Sequence, residues 1–354
     1  MGSNIHERIR RARVSRGLSL DELARRMGDI SKQGLSKFET GQASPNSARL
    51  IQLSKALGVK PEYFLRADTV ALAPLEFRKL AKMPLYRQEQ VKELMRDQLE
   101  RYVLVERSFE DGVSSRLVAP RSIPVKSLDE AESAASKLRQ EWGVGVDAIA
   151  DLTDLLESKG FKIALIDAGD DFDGACAATT DEKNVLIALN GNRPGERMRF
   201  TVAHEVGHWV MDLPSKMSEK DKERCCHRFA AALLFPSVQV KDEFGEHQRS
   251  RVHPQELLNA KHSYGVSMQM ILYRLKDLGL LSDVGHKSLS IMFGKYGWRR
   301  NEPGTLPSER PRRFESLVFR GIAEEIFTLS RAAELLQIPI GRLNASSNGE
   351  LVHE

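Results

Sequence analysis

Residues 196–213 read ERMRFTVAHEVGHWVMDL. The pattern predicts an amphipathic helix running from about 195 to 213. On such a helix His204 and His208 are one turn apart and face the same side, with Cβ atoms about 6 Å apart. Two imidazole nitrogens so placed converge on one zinc ion at about 2.0–2.1 Å. Glu205 is rotated about 100° from His204. It stands too far round to be a natural third ligand, yet close enough to hold a water molecule as a general base does. A catalytic zinc requires one more protein ligand and one open position. The next stretch, SEKDKERCCHRFAAALLF at 218–235, predicts a second helix stopped at Pro236. It offers Glu219, Asp221, Glu223 and His227.

Outward from this pair of helices the pattern changes period. FKIALID (161–167), residues 175–180 and NVLIALN (184–190) read as strands by their β-branched and alternating content. The last of these is expected to offer its edge to an extended substrate chain. Helices are expected at 128–143 and 147–158, the second ended by Gly160. Beyond the zinc helices, residues 254–282 read as helix, turn, helix, with Ser267 as a cap. Residues 329–343 give a shorter echo, and 297–316 form an arginine-rich loop. These C-terminal helices are expected to pack on the zinc domain. The last few residues are expected to lack order.

The chain has 354 residues, too many for one ordinary core, so several domains are expected. Hydrophobic residues make up 41% and charged residues 29%, a water-soluble profile without an apolar run long enough to span a bilayer. Three cysteines make no disulfide framework and fit a reducing cytoplasm; no secretory signal is evident. The charge is uneven. Residues 1–66 carry 13 lysines and arginines against 6 acids, while the whole chain is +4, so the remainder is net negative. A basic head on a mildly acidic body suits a polyanion such as DNA.

That head reads as five short helices. Ser19 caps LDELARRM with Glu22 completing a capping box, Gly28 stops it, and Ser31 caps KQGLSKFE. Leu23-Ala24, Gly28, Ile30-Ser31, Leu35-Ser36-Lys37-Phe38-Glu39, Gly41 and Pro45 together resemble the lambda repressor/Cro-like (Xre-type) helix-turn-helix domains. One departure is Leu20, where many relatives carry a phosphate-contacting glutamine. The resemblance implies that the helix near 32–40 enters the major groove of an operator in double-stranded DNA. Lys32, Gln33, Ser36 and Lys37 are then the base and phosphate contacts, and a homodimer on a palindrome is expected.

A helical connector follows at 67–126, with a long amphipathic helix from Arg87 to about Phe109 that either packs on the next domain or pairs with its copy. The domain boundary is expected between 110 and 127. Phe172-Asp173-Gly174, Arg199-Phe200-Thr201, Ala203-His204-Glu205, Gly207-His208, Glu223 and Cys226-His227-Arg228-Phe229-Ala230-Ala231 resemble the ImmA/IrrE family of zinc metallopeptidases over roughly 130–240. The resemblance implies one zinc per chain, held by His204, His208 and Glu223, with His227 or Cys226 as alternatives to the third ligand. Glu205 is then the catalytic base for peptide hydrolysis. Tyr264, Tyr273, His227 or an arginine remain open as the group that steadies the oxyanion.

The expected architecture is multi-domain. An all-α helix-turn-helix domain (1–66) and the connector precede an α+β zincin-like metallopeptidase domain with a small sheet (127–240). A mainly helical C-terminal region (241–354) completes it. Two functions compete. One is a zinc endopeptidase that cuts a partner protein, a repressor by family resemblance. The other is a non-proteolytic repressor or antitoxin whose zinc site is structural, sensory or vestigial. The intact His204-Glu205-His208 set favours the first, since a purely structural site has no need of the glutamate.

Overall fold

The computed structural model describes residues 5–66, 70–73, 83–109 and 123–347. The expected boundary between 110 and 127 falls mostly on 110–122, outside the described residues, as do most of the pattern-poor stretch before Leu85 and the last seven residues.

The head is all helical: α1 (Ile5–Ser15), α2 (Leu20–Met27), α3 (Lys32–Glu39), α4 (Ser47–Leu57) and a 3₁₀ turn at Pro61–Leu65. Ile9, Ala12, Leu23, Leu35, Leu53, Leu57 and Phe64 close its core. The capping box forms as the sequence predicts: the Glu22 amide donates to Ser19, and the Ser19 amide donates to the Glu22 carboxylate. The fourth helix is capped by Asn46, one residue ahead of Ser47.

Helix α5 (Leu85–Arg107) is the hub of the molecule. Val91, Met95, Leu99 and Val103 pack on one face of a three-stranded sheet, so the connector does pack rather than wait for a copy of itself. That sheet comprises β2 (Lys162–Leu165), β3 (Gly174–Ala178) and β4 (Val185–Leu189), in the order β2-β4-β3. Two short strands, β1 (Ile123–Pro124) and β5 (Met211–Asp212), pair separately and in parallel.

The strand at 185–189 is therefore not an edge, which corrects the expectation above. It pairs in parallel with β2 and antiparallel with β3. All five of its residues are buried, because VLIAL has no polar face to turn to water. The outer strands are β2 and β3. Residues 71–73 already pair with the far end of β3: the Ala73 amide donates to the Ala178 carbonyl at 2.8 Å, and the Thr180 amide to the Ala71 carbonyl at 2.9 Å.

The other face of the sheet carries Ile163, Val185, Ile187 and Leu189 into a large core with α6 (Leu128–Trp142), α7 (Leu152–Ser158), α8 (Gly195–Val210) and α9 (Glu219–Leu234). The same core continues through α10 (Ser237–Phe244), α11 (Pro254–Tyr264), α12 (Met268–Asp277) and α13 (Asp283–Lys295), past residue 240 and as far as Phe293. The last helices, α14 (Arg313–Ala323), α15 (Leu329–Leu336) and α16 (Ile340–Ser347), pack instead on Tyr102 and Val105 of α5 and on Phe109 just beyond it.

Two helices are shorter than the sequence suggests. The helix expected from 147 begins at Leu152. Asp151 caps the Asp154 amide, and the Glu309 carboxylate, far along the chain, accepts from the amides of Leu152 and Thr153 at 3.0 Å each. The helix expected to reach 213 stops at Val210, because Met211 turns extended (φ −86°, ψ 130°) to pair with Ile123.

Candidate metal centre

Helix α8 is buried along almost its whole surface. Only Arg197, Phe200, Thr201 and His208 have appreciable exposure. With 100° per residue these four fall, together with His204, within an arc of about 100°. The helix thus shows water one narrow stripe, and the two histidines lie on it. Gly207 is required just below: a Cβ there would come within 2.9 Å of the Phe229 ring, so α9 approaches α8 at glycine distance.

Across this contact α9 delivers Glu223. Its Oε2 lies 3.2 Å from His204 Nε2 and its Oε1 3.2 Å from His208 Nε2, while the two Nε2 atoms are themselves 3.2 Å apart. Donors at about 2.0–2.1 Å around a tetrahedral divalent ion are separated by about 3.3 Å. The three side chains fit that figure before any ion is placed among them. Among the described residues they form the group of histidine, cysteine and acidic side chains able to hold a metal. Burial pushes the Glu223 carboxyl up. Hydrogen bonds with His204 and His208 and the attraction of their charge outweigh this and hold it well below the usual carboxylate range.

The other candidates sort themselves by position. Glu219 and Asp221 are exposed at the start of α9, and neither they nor Cys226 and His227 belong to the cluster. Glu205 is buried, 3% exposed, and is likewise not one of the three clustered donors. His227, one turn beyond Glu223, sets its ring 4.7 Å from that of His204 and 5.8 Å from that of Phe200. Tyr264 is buried on Phe235 and donates its hydroxyl hydrogen to Gln239 at 2.8 Å, and Tyr273 packs on His286. Of the named side chains considered for the oxyanion, His227 is the one beside the cluster.

At the polar end of the stripe sequence reasoning noted Asp173, either as a functional residue or as part of an ordinary Asp-Gly turn, and overlooked its arginine partners. Asp173 accepts from Arg193 Nε and from an Arg197 terminal nitrogen, both at 2.7 Å. The spacing was available: Arg197 precedes His204 by seven residues, two turns on one face. It also overlooked Glu309, which pairs with Arg199 of α8 while capping α7.

In the head, Ser31 caps α3 through the Gly34 amide at 3.2 Å. Lys32, Gln33 and Lys37 are exposed and Ser36 is half-buried. Lys32 reaches Asp21 at 2.7 Å in open solvent. Arg13 clamps Glu39 at 2.6 and 2.7 Å and fixes the end of α3 against α1.

A helical head built around a helix-turn-helix, joined to a domain with an HExxH helix and a facing glutamate, defines a class of regulator. The sequence agrees. It matches the family described as Helix-turn-helix over residues 9–64, and the peptidase family described as the IrrE N-terminal-like domain over residues 167–276. The SPbeta prophage-derived uncharacterized HTH-type transcriptional regulator YonR of Bacillus subtilis (strain 168) is 30% identical over 114 residues, which are 30% of this chain and 96% of that relative. The chain belongs to the Xre-type helix-turn-helix transcriptional regulators that carry an ImmA/IrrE-family metallopeptidase domain. Among the described residues no helix is long and apolar enough to cross a membrane.

Proposed function

We propose that this DNA-binding regulator is a zinc-dependent endopeptidase, directed by its head to an operator, where it cuts a partner protein, a repressor being the class of substrate its DNA address suits. The observation that carries this reading is the equal spacing of three donors beside a buried glutamate that is not one of them. His204, His208 and Glu223 would hold the ion, and two imidazoles with one carboxylate are a donor set suited to zinc. When bound, zinc supplies Lewis acidity, polarising a peptide carbonyl and easing the loss of a proton from water.

The chain's own groups do the rest. Glu205 takes the proton from the attacking water as its oxygen adds to the carbonyl carbon. Glu205 then gives that proton to the amide nitrogen as the C–N bond breaks, so acid and amine leave and the carboxylate is restored. His227, whose ring lies 4.7 Å from that of His204, would donate a hydrogen bond to the carbonyl oxygen. In the head, Lys32, Gln33, Ser36 and Lys37 meet bases and phosphates, in a homodimer on a palindromic operator. The three cysteines form no disulfide, which suits a reducing cytoplasm.

The test is to incubate the purified chain with the repressor encoded beside its gene, with and without chelator. Specific cleavage is expected, lost with chelator and lost in Glu205→Gln. Cleavage that survives Glu205→Gln, or a purified protein that takes up no zinc, would refute the reading and leave the non-proteolytic regulator.

A further inference from the structure

The open stripe of α8 has two flanks. On the Phe200 side stands α9, with His227 5.8 Å from the Phe200 ring. On the Thr201 side stands the start of β3, so close that a Cβ at Gly174 would lie 2.6 Å from Thr201 Cγ2. The stripe thus runs between a helix and a strand, and a substrate laid along it would have α9 on one side and β3 on the other. His204 and His208 occupy one end and Arg197 the other. Seven residues of helix, about 10.5 Å, separate Arg197 from His204. An extended polypeptide covers that distance in about three residues.

Two arginines meet at the Arg197 end. Arg193 and Arg197 share one carboxylate, Asp173. Arg193 is fixed further by the carbonyls of Asp170 and Phe172. The Arg197 side chain is 54% exposed and bonds through a single nitrogen to Asp173 Oδ2. The rest of its planar fork, shaped to receive a carboxylate, faces solvent at the end of the stripe.

We propose that Arg197, steadied by Asp173, is a cationic subsite that binds an acidic side chain of the substrate about three residues from the bond to be cut. This rests on reading the stripe as a peptidase site, and it narrows the substrate class to extended segments bearing an aspartate or glutamate at that spacing. Asp173 sets the strength of the site, since it is the carboxylate that Arg197 shares with Arg193.

Peptide selection tests this without relying on turnover. Full-length Glu205→Gln protein, loaded with zinc, is immobilised and used to select from a phage-displayed random peptide library. Bound peptides are expected to share an acidic position. Replacing that residue by its amide in a synthetic fluorescent peptide is expected to weaken binding up to about fivefold, the range of a partly exposed charge pair. Arg197→Ala should abolish the preference with an unchanged melting curve, Arg197→Glu should exchange it for lysine or arginine, and Asp173→Asn should sharpen it. Selected peptides without an acidic position, no bound peptides at all, or a preference that survives Arg197→Ala would overturn the proposal. Incubating the selected peptides with the wild-type chain tests the other reading separately. Peptides that bind through the acid yet are never cut would sink the peptidase and leave the subsite in place.

Discussion

Arg8 and Glu100, 92 residues apart, meet at 2.6 Å in a contact almost closed to water. Arg8 belongs to the head and Glu100 to α5. Arg11 adds a second guanidinium at 3.5 Å from Glu100 and 3.9 Å from Glu93, and Gln90 donates to the Ser15 carbonyl at 3.3 Å. Burial pushes the Glu100 carboxyl up, with both arginines only partly opposing it, so this pair fixes position more than it adds net stability. Removing Glu100 takes away the carboxylate that faces the buried Arg8 guanidinium. Glu100→Leu is expected to destabilise the head's docking by about 3 kcal/mol, and Arg8→Met with Glu100→Leu together by much less. A double-mutant cycle in urea, followed by protease sensitivity near residue 66, measures both. Equal losses in the single and the double variant would contradict this.

The metal cluster predicts a stoichiometry and a melting shift. One zinc per chain is expected in the wild type and in Glu205→Gln, and next to none in His208→Ala. An ion present at a thousand times its dissociation constant adds about 4 kcal/mol to the domain that holds it. Chelation should therefore lower the apparent melting temperature of the wild type by several degrees and leave His208→Ala unmoved. Elemental analysis and calorimetry read the two effects separately.

Glu309 carries two tasks, accepting from two amides at the start of α7 and pairing with Arg199 on α8. Glu309→Ala is expected to destabilise the chain by about 3 kcal/mol, since it leaves a buried guanidinium and two helix-end amides without this partner. Glu309→Gln, which keeps an acceptor oxygen, should lose less. Thermal unfolding of the two variants ranks them, and the reverse order would disprove the account.

On the DNA side the four exposed or half-exposed positions of α3 should not behave alike. Gln33→Ala is expected to relax base preference at one operator position, by about 1–3 kcal/mol. Lys37→Ala should weaken binding across all sequences and flatten the salt dependence by about one ion if Lys37 meets phosphate. Lys32 has an exposed acidic partner in Asp21, so Asp21→Asn should strengthen binding modestly. Anisotropy titrations at several salt concentrations distinguish the three.

Local chemistry is what the sequence reveals well here. Ser19, Ser31 and Ser267 cap helices where their spacing predicts, and the His204-Glu205-His208 stretch lies on a helix as its period requires. The misreadings come from partners distant in the chain. Nothing inside NVLIALN says that a strand from twenty residues earlier will pair on its outer side, and an all-apolar run is equally compatible with an edge or a centre. The late start of α7 depends on Glu309, about 157 residues away, and capping from such a distance leaves no periodic trace. The same holds for Lys261, wholly buried between Glu196 and Glu302, two acids that flank it in space and not in sequence. Glu223 was one of four polar candidates until family resemblance singled it out; the 3.2 Å spacing now gives a physical reason.

The three-stranded sheet between α5 and α8 sets a rule for re-engineering this architecture. The helix that seats the head and the helix that bears the histidines lean on opposite faces of the same three strands. A splice that exchanges only residues 1–66 would leave Glu93 and Glu100 facing foreign side chains, while one that also exchanges α5 would strip the sheet of its cover. The transplantable cassette is neither the head alone nor the head with its platform, but a head resurfaced to present arginines where Arg8 and Arg11 stand.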